Sequence, residues 1–263
     1  MLPPCLSPRY APRRVLRLTM LGTLALESGR ERLTGAALRH RPLAILALVA
    51  ASELHGMSRD TVLAYLWPES DRTHAHNCLR QALFVIRRDL GHELFLPGAS
   101  TLRLDPGVLA ADRWDFERAL ARRSYREAVD AYQGPFLDGF HVAELAEFER
   151  WAERERDQLA HRYRSALQAL VAEAESGGDR VGVVEWWRRL AEFDPLSSRI
   201  ALGLMRALVE SGDRAEALRC AAIHERVLRE ELEIQPDTAE RVFVERMRRP
   251  DPSTGTGSAG RLT

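Results

Sequence analysis

The chain has 263 residues, and its 38 basic side chains balance 38 acidic ones, which excludes a protein of high net charge. No apolar run reaches the roughly 18 residues that a membrane span requires, so no membrane partner is predicted. Residues 1–14 lack the apolar segment of a secretory signal; they are predicted to form a disordered leader on a cytoplasmic protein. Cys5, Cys78 and Cys220 match no paired-ligand spacing, so the sequence predicts neither disulfides nor a metal site.

The charge is unevenly distributed along the chain. Residues 1–105 carry 14 arginines against 9 acidic residues, whereas residues 106–263 carry 24 arginines against 29 acidic residues. The chain contains no lysine, so every fixed positive charge is a guanidinium. A basic front half and an acidic back half are typical of a nucleic-acid-binding module joined to a partner-binding module.

Residues 15–106 carry the pattern of a first domain. Alternation over 15–26 predicts two short strands or one bent strand, and residues 41–52 predict a buried helix. Ser58 is expected to cap a second helix that stops at Pro68. A third helix follows over about 72–90, closed by Gly91, and a hairpin with a PGAS turn ends at residue 104. This order of elements predicts a winged helix-turn-helix.

The third helix, in "THAHNCLRQALFVIRRDLG" (73–91), has two different faces. Apolar residues fall within about 60° of Leu79, and polar residues lie on the opposite side. Asn and Gln match adenine edges, and Arg matches guanine edges or phosphates, so the helix is predicted to read the major groove. A solvated amphipathic helix is the alternative. The candidate DNA contacts, including one in the hairpin, are Arg72, Thr73, Asn77, Arg80, Gln81, Phe84, Arg87, Arg88 and Arg103.

Two of these candidates have open alternatives. Phe84 contacts a thymine methyl or a deoxyribose, or it packs against the hairpin or the helical domain. Arg103 reaches a phosphate or the minor groove, or it forms a cross-strand surface pair. A metal site is not predicted here, because His74 and Cys78 share a helix face while His76 points some 160° away from Cys78.

Helical periodicity after residue 105 predicts an all-α domain over residues 111–249. The tripeptide GDR at 178–180 recurs at 212–214, an offset of 34 residues, which is the tetratricopeptide period. A long helix is expected over about 144–174, and the Gly/Ser/Thr/Pro-rich tail 250–263 is predicted to be disordered. The predicted fold class is therefore mainly α with small β elements, a winged helix followed by a tetratricopeptide-like domain.

With these pieces in place, the sequence resembles the bacterial transcriptional activator domain family, which includes the Streptomyces antibiotic regulatory proteins. The resemblance covers about residues 15–249. It is carried by LGTLAL (21–26), SRDTVLAYLWPES (58–70), NCLRQALFVIRRDLG (77–91), YQGPFLDGF (132–140), EFERWAERERDQL (147–159) and DPLSSRIALGLMRALVESGDRAEAL (194–218). The third helix departs from the family pattern at two positions. The family often has a small polar residue where this sequence has Phe84, and an extra arginine where it has Val85.

The resemblance implies an OmpR-type winged helix that binds tandem direct repeats of double-stranded DNA near a promoter. It also implies a helical domain that dimerises or contacts RNA polymerase. The sequence thus predicts a transcriptional activator without a cofactor. The alternative is a protein-interaction adaptor whose winged helix docks protein instead of DNA. An enzyme is not predicted, because the chain has no nucleophile elbow, HExxH, P-loop or dinucleotide fingerprint.

Overall fold

The computed structural model describes residues 16–29, 31–90, 93–98, 100–142 and 145–249. The predicted leader, the helix cap at Gly91 and the predicted tail from residue 250 lie outside these ranges. The chain divides into two compact units, Met1–Tyr163 and Arg164–Thr263, so the division falls inside a helix. The domain limits drawn from the sequence, 15–106 and 111–249, stay a prediction.

The described residues form short strands and longer helices, as the fold class predicts. The strands are β1 (Leu16–Thr19), β2 (Ala25–Ser28), β3 (Glu31–Arg32), β4 (Met57–Ser58), β5 (Thr101–Leu102) and β6 (Leu109–Ala111). The helices are α1 (His40–Ala51), α2 (Arg59–Leu66), α3 (Arg72–Leu90), α4 (Asp112–Ala121), α5 (Tyr125–Ala131), α6 (Ala146–Ser176), α7 (Arg180–Phe193), α8 (Ser198–Glu210), α9 (Arg214–Leu232) and α10 (Thr238–Arg248).

A four-stranded sheet in the order β3-β2-β1-β6 opens the first unit. The alternation over 15–26 resolves into two antiparallel strands, β1 and β2, with Leu16 opposite Ser28. Strand β6 pairs parallel to β1, with Leu16 opposite Leu109. No sequence pattern indicates β6, because three residues are too few for a period-2 pattern. The sheet consequently uses residues beyond the predicted limit at 106.

Asp112, the first residue of α4, ties this sheet to the helices that follow it. Its side chain is 5% exposed, and its carboxylate accepts the backbone N–H groups of Met20 (2.8 and 2.9 Å) and Leu21 (2.9 Å). It also accepts the N–H of Arg113 at 2.7 Å. Burial raises the pKa of the Asp112 carboxyl above its ordinary value, while the three N–H donors and Arg17 act to lower it.

Helices α1, α2 and α3, together with a hairpin, complete the winged helix. The Ser58 side chain accepts the N–H of Thr61 at 3.0 Å, which confirms the predicted N-cap of α2. Strand β4 directly precedes α2 in the chain, and β5 pairs antiparallel with it. The hairpin ladder continues through the hydrogen bonds from Leu96 N to Arg103 O and from Asp105 N to Leu94 O, both 2.8 Å.

Helix α6 and the loop before it pack onto the same unit. Leu137 N donates to Met20 O and Asp138 N to Gly22 O, both at 2.9 Å, so residues 136–138 continue the pairing at the β1–β2 turn. The Trp151 ring of α6 lies 5.7 Å from that of Phe136 and 6.0 Å from that of Tyr65 in α2. These contacts place the start of α6 against the helix-turn-helix.

The second unit is built on the predicted repeat. Each GDR copy has a glycine with positive φ, Gly178 (68°) and Gly212 (91°), followed by an aspartate that caps a helix. Asp179 accepts the N–H of Gly182 at 3.0 Å to start α7, and Asp213 accepts the N–H of Glu216 at 2.9 Å to start α9. The repeated tripeptide is thus one repeated local structure, a left-handed turn and an N-cap.

Small residues set the spacing of helices in this unit. Trp187 of α7 packs with the apolar cluster of α8, α9 and α10, whose members are Ala201, Leu204, Met205, Leu208, Ala217, Ala221 and Met247. A Cβ at Gly203 would lie 2.5 Å from the Trp187 ring. The α7 and α8 backbones therefore approach as closely as they do because residue 203 has no side chain.

We expect Asp112→Ala to lower the free energy of unfolding by about 3 kcal/mol or more, because each buried N–H left without an acceptor costs roughly 1–3 kcal/mol. Urea denaturation measures this. Asp115→Ala is the matched control in the same helix turn: its carboxylate is partly exposed and pairs with Arg17 at 3.1 Å and with Arg118, so it should cost less than about 1 kcal/mol. Equal losses in the two variants would contradict the central role of Asp112.

The raised pKa of Asp112 should also make the stability of the protein depend on pH. The pKa of Asp112 is raised in the folded chain above the roughly 3.9 of an unfolded one, so the folded state holds the proton longer. The contribution of this group to stability is therefore full below the unfolded pKa and decreases as the pH rises through the folded pKa. Subtracting the stability–pH profile of Asp112→Ala from that of the wild type should isolate this fall.

Gly203→Ala should destabilise the second unit by about 1–2 kcal/mol, because overpacking against Trp187 outweighs the gain of about 1 kcal/mol in helix propensity. In a Trp187→Leu background the overlap is absent, so the same substitution should stabilise. Thermal or urea unfolding of the four variants gives the sign in each background. A stabilising effect of Gly203→Ala in both backgrounds would show that the close approach does not constrain the packing.

Candidate nucleic-acid interface

Helix α3 has one buried face and one exposed face, as the sequence predicts. Ala75, Leu79 and Ile86 are buried. The eight candidate contacts on the helix are all exposed: Arg72, Thr73, Asn77, Arg80, Gln81, Phe84, Arg87 and Arg88. Arg80 has no hydrogen-bond or ion-pair partner among the described residues, so its guanidinium presents its donors outward.

Phe84 stands out on the exposed face. Its side chain is 61% exposed, so it is not packed into the described part of the hairpin or of the helical segments. A large aromatic side chain in water contributes little to folding, because the hydrophobic gain comes only from area removed from water. Phe84 is therefore available for a ligand, and a thymine methyl or a deoxyribose fits its chemistry.

The N-terminal end of α3 is less open to a phosphate than its sequence indicates. The Asp71 carboxylate accepts the backbone N–H of His74 at 3.0 Å and caps the helix. A phosphate held by Arg72 and Thr73 would share the positive end of the helix with this carboxylate. Sequence reasoning considered the free N–H groups of the first turn and missed Asp71 as their partner, although an Asp immediately before a helix is the usual signal.

Two arginines at the C-terminal end of α3 are held by acidic side chains that sequence reasoning also missed. Arg88 Nε donates to Asp89 Oδ1 at 2.7 Å, and Asp89 Oδ2 accepts the N–H of Ala37 at 3.1 Å. The hydrogen bond between the Arg88 and Asp89 side chains raises the pKa of Arg88 and lowers that of Asp89. Arg87 donates through Nε (3.1 Å) and Nη2 (2.6 Å) to one oxygen of Glu93.

The hairpin presents Arg103 to solvent. Its guanidinium has no ion pair or hydrogen bond within the described ranges. The stem of Arg103 lies over Gly56, where a Cβ would overlap both Arg103 Cγ and Leu102 O. Gly56 has a φ of 72°, so both its conformation and the space around it favour glycine.

The histidines of α3 are engaged individually. His74 Nε2 lies 3.4 Å from Cys78 Sγ, and His76 Nε2 lies 3.9 Å from Asp60 Oδ1. Within the residues that the structure describes, no three His, Cys, Asp or Glu side chains gather as metal ligands. The same part of the chain has no helix with the length and apolar character needed to cross a bilayer.

Comparison with known proteins gives the family. The model of the family described as "Bacterial transcriptional activator domain" matches residues 105–248, more than half of the chain. The chain belongs to this family. The description of the family model is that of bacterial transcriptional activators, in line with the resemblance to the Streptomyces antibiotic regulatory proteins. A search of curated proteins gave no match.

The fold has a counterpart among solved structures. The chain is similar to Mycobacterium tuberculosis EmbR, solved in complex with a low-affinity phosphopeptide, with a TM-score of 0.57 and 18% sequence identity. The match covers 88% of this chain and 64% of the EmbR chain, less than two thirds of its length. At this identity the likeness shows the fold, a small N-terminal sheet with a winged helix followed by a helical repeat domain.

The different burial of neighbouring residues on α3 can be tested through stability. Phe84→Ala should change the free energy of unfolding by no more than about 0.5 kcal/mol, as exposed substitutions do. Ile86→Ala, two residues later and 0% exposed, should cost about 3 kcal/mol. Urea denaturation of the two variants decides the matter. If Phe84→Ala costs as much as Ile86→Ala, then Phe84 packs inside the folded chain and leaves the set of DNA contacts.

Proposed function

We propose that the chain is a sequence-specific DNA-binding transcriptional activator whose α3 enters the major groove. One observation carries the proposal: the exposed face of α3 collects Asn, Gln, Arg and Phe side chains while its opposite face is buried. An α-helix with such a face fits the width of the major groove. The helix-turn-helix placement of α2 and α3 supports the same docking.

The candidate contacts have different tasks. Asn77 and Gln81 carry the donor–acceptor pairs that match adenine edges, and Arg80 carries the fork that matches guanine O6 and N7. Phe84 contacts a thymine methyl. Because the Nε of Arg88 is held by Asp89, its other N–H groups are oriented for a phosphate.

The remaining contacts position the protein on the backbone. Arg72, Thr73 and Arg103 lie at the start of α3 and in the hairpin, and phosphate contacts there would fix the register of α3 without reading sequence. Membership of the activator family supports two further expectations. Two copies of the chain bind tandem direct repeats at a promoter, and the helical domain over 111–249 joins the copies or contacts RNA polymerase in the cytoplasm.

The first experiment is selection of bound sequences from random duplex DNA, with wild type beside the Arg80→Ala, Arg88→Ala double variant. The wild type should enrich a repeated motif, and the variant should enrich none, because a lost bidentate base contact removes about 1–3 kcal/mol of discrimination. Repeating the binding at several salt concentrations should give a steep negative slope, since phosphate contacts release counterions.

The matched control is Arg150→Ala, Arg154→Ala, which removes two exposed arginines from α6 and leaves α3 intact. It should enrich the wild-type motif. If the wild type enriches nothing even at low salt, the DNA proposal fails, and the winged helix serves as a protein-docking module. If control and α3 variant lose the motif alike, net charge and not α3 carries the binding.

A further inference from the structure

Arg87 and Arg88 lie side by side but use their guanidinium groups differently. Arg88 gives only Nε to Asp89, and that carboxylate is anchored to the N–H of Ala37. Arg87 gives both Nε and Nη2 to Glu93 Oε1. The Nε–Nη2 edge is one of those through which a guanidinium grips a phosphate with two hydrogen bonds. In Arg87 this edge is occupied by a carboxylate from the chain itself.

Arg87 lies on the face of α3 that the proposed function directs at DNA. It follows Arg80 by seven residues, which is close to two helical turns, so the two side chains share that face. Glu93 stands just before Leu94, where the hairpin ladder begins, so the pair joins the end of α3 to the hairpin. Its negative charge therefore stands between the two elements that would approach the phosphates.

We infer that Glu93 is an electrostatic brake on DNA binding, which occupies the phosphate-gripping edge of Arg87 and limits the affinity for the DNA backbone. The inference rests on the proposed function and adds a residue that sets binding strength without reading bases. Because a phosphate contact is independent of sequence, the brake weakens binding to the selected site and to unrelated DNA by the same factor.

The brake is graded, because the pair is exposed. The Arg87 and Glu93 side chains retain 59% and 56% of their accessible surface. Exposed ion pairs are weak and are screened by salt, so a phosphate competes with Glu93 on nearly equal terms. The expected effect is a change of several-fold in affinity and not a switch between bound and free.

The test is Glu93→Gln, which keeps the size of the side chain and removes its charge. Affinities for the selected duplex and for an unrelated duplex, measured by fluorescence anisotropy, should both rise by about three- to tenfold at low salt. The slope of log affinity against log salt should steepen by about 0.9, the value for one additional neutralised phosphate. Circular dichroism should confirm that the variant is folded as the wild type is.

A double-mutant cycle separates this brake from a general charge effect. Arg87→Ala should weaken binding, and Glu93→Gln should give little further gain in the Arg87→Ala background. Glu31→Gln, in β3, is the matched control for removing one exposed carboxylate, and it should leave the affinity nearly unchanged. An equal gain from Glu93→Gln with and without Arg87 would overturn the inference.

The two proposals fail in different ways. If the wild type binds its selected duplex and Glu93→Gln binds it no more tightly, the brake is wrong and DNA binding stands. If neither the wild type nor Glu93→Gln binds any duplex at low salt, the proposed function is wrong, and the inference falls with it.

Discussion

The first unit depends on one buried carboxylate. Asp112 accepts the backbone N–H groups of Met20 and Leu21, which follow the end of β1. These two donors precede Asp112 in the chain by 92 and 91 positions. Both N–H groups lie beyond the last residue of β1, so no neighbouring strand accepts their hydrogen bonds. A buried N–H group without an acceptor lowers the stability of the fold. A carboxylate at the first residue of α4 satisfies them and places the helix beside the sheet that β6 has just joined. The N-terminal strands and α4 are consequently parts of one structure within the first unit.

The helix-turn-helix is held by several connections of the same kind. Trp114 of α4 donates its indole N–H to Ala50 O of α1 at 2.8 Å, and Trp151 of α6 packs its ring near Tyr65 of α2. Arg113, 7% exposed, pairs with Glu155 of α6 at 2.6 Å and lies over the Phe136 ring. These contacts join α1 and α2 to α4 and the start of α6, so the helix-turn-helix is supported from outside its three-helix core.

Acidic side chains neutralise part of the positive charge of α3, in a chain whose formal net charge is zero. Acidic partners stand at both ends of the helix, Asp71 at the start and Asp89 with Glu93 at the end, while Arg80 in the middle has no partner among the described residues. The middle of the helix is the part that would lie deepest in a groove. Among the described residues, positive charge on α3 is therefore least compensated in the middle of the helix and most compensated at its C-terminal end.

Sequence patterns determined the elements whose signals are local. The apolar stripe through Leu79 and Ile86 and the cap at Ser58 each depend on residues within one or two helical turns, so periodicity and capping rules predicted them correctly. The outward direction of Asn77, Arg80, Gln81 and Phe84 follows from the same helical geometry, and the structure has them exposed.

Only the tertiary structure decided the rest. Strand β6 has three residues, too few for a pattern, and it exists because β1 offers it a ladder. Asp112 resembles any acidic residue at a helix start until β1 is seen to direct two N–H groups at it. Glu93 resembles an ordinary surface acid until Arg87 of α3 is placed beside it, and Asp89 resembles one until it is seen to accept the N–H of Ala37. In each case the partner lies on another element, and a single sequence carries the identity of a residue but not the distance to a residue on a different element.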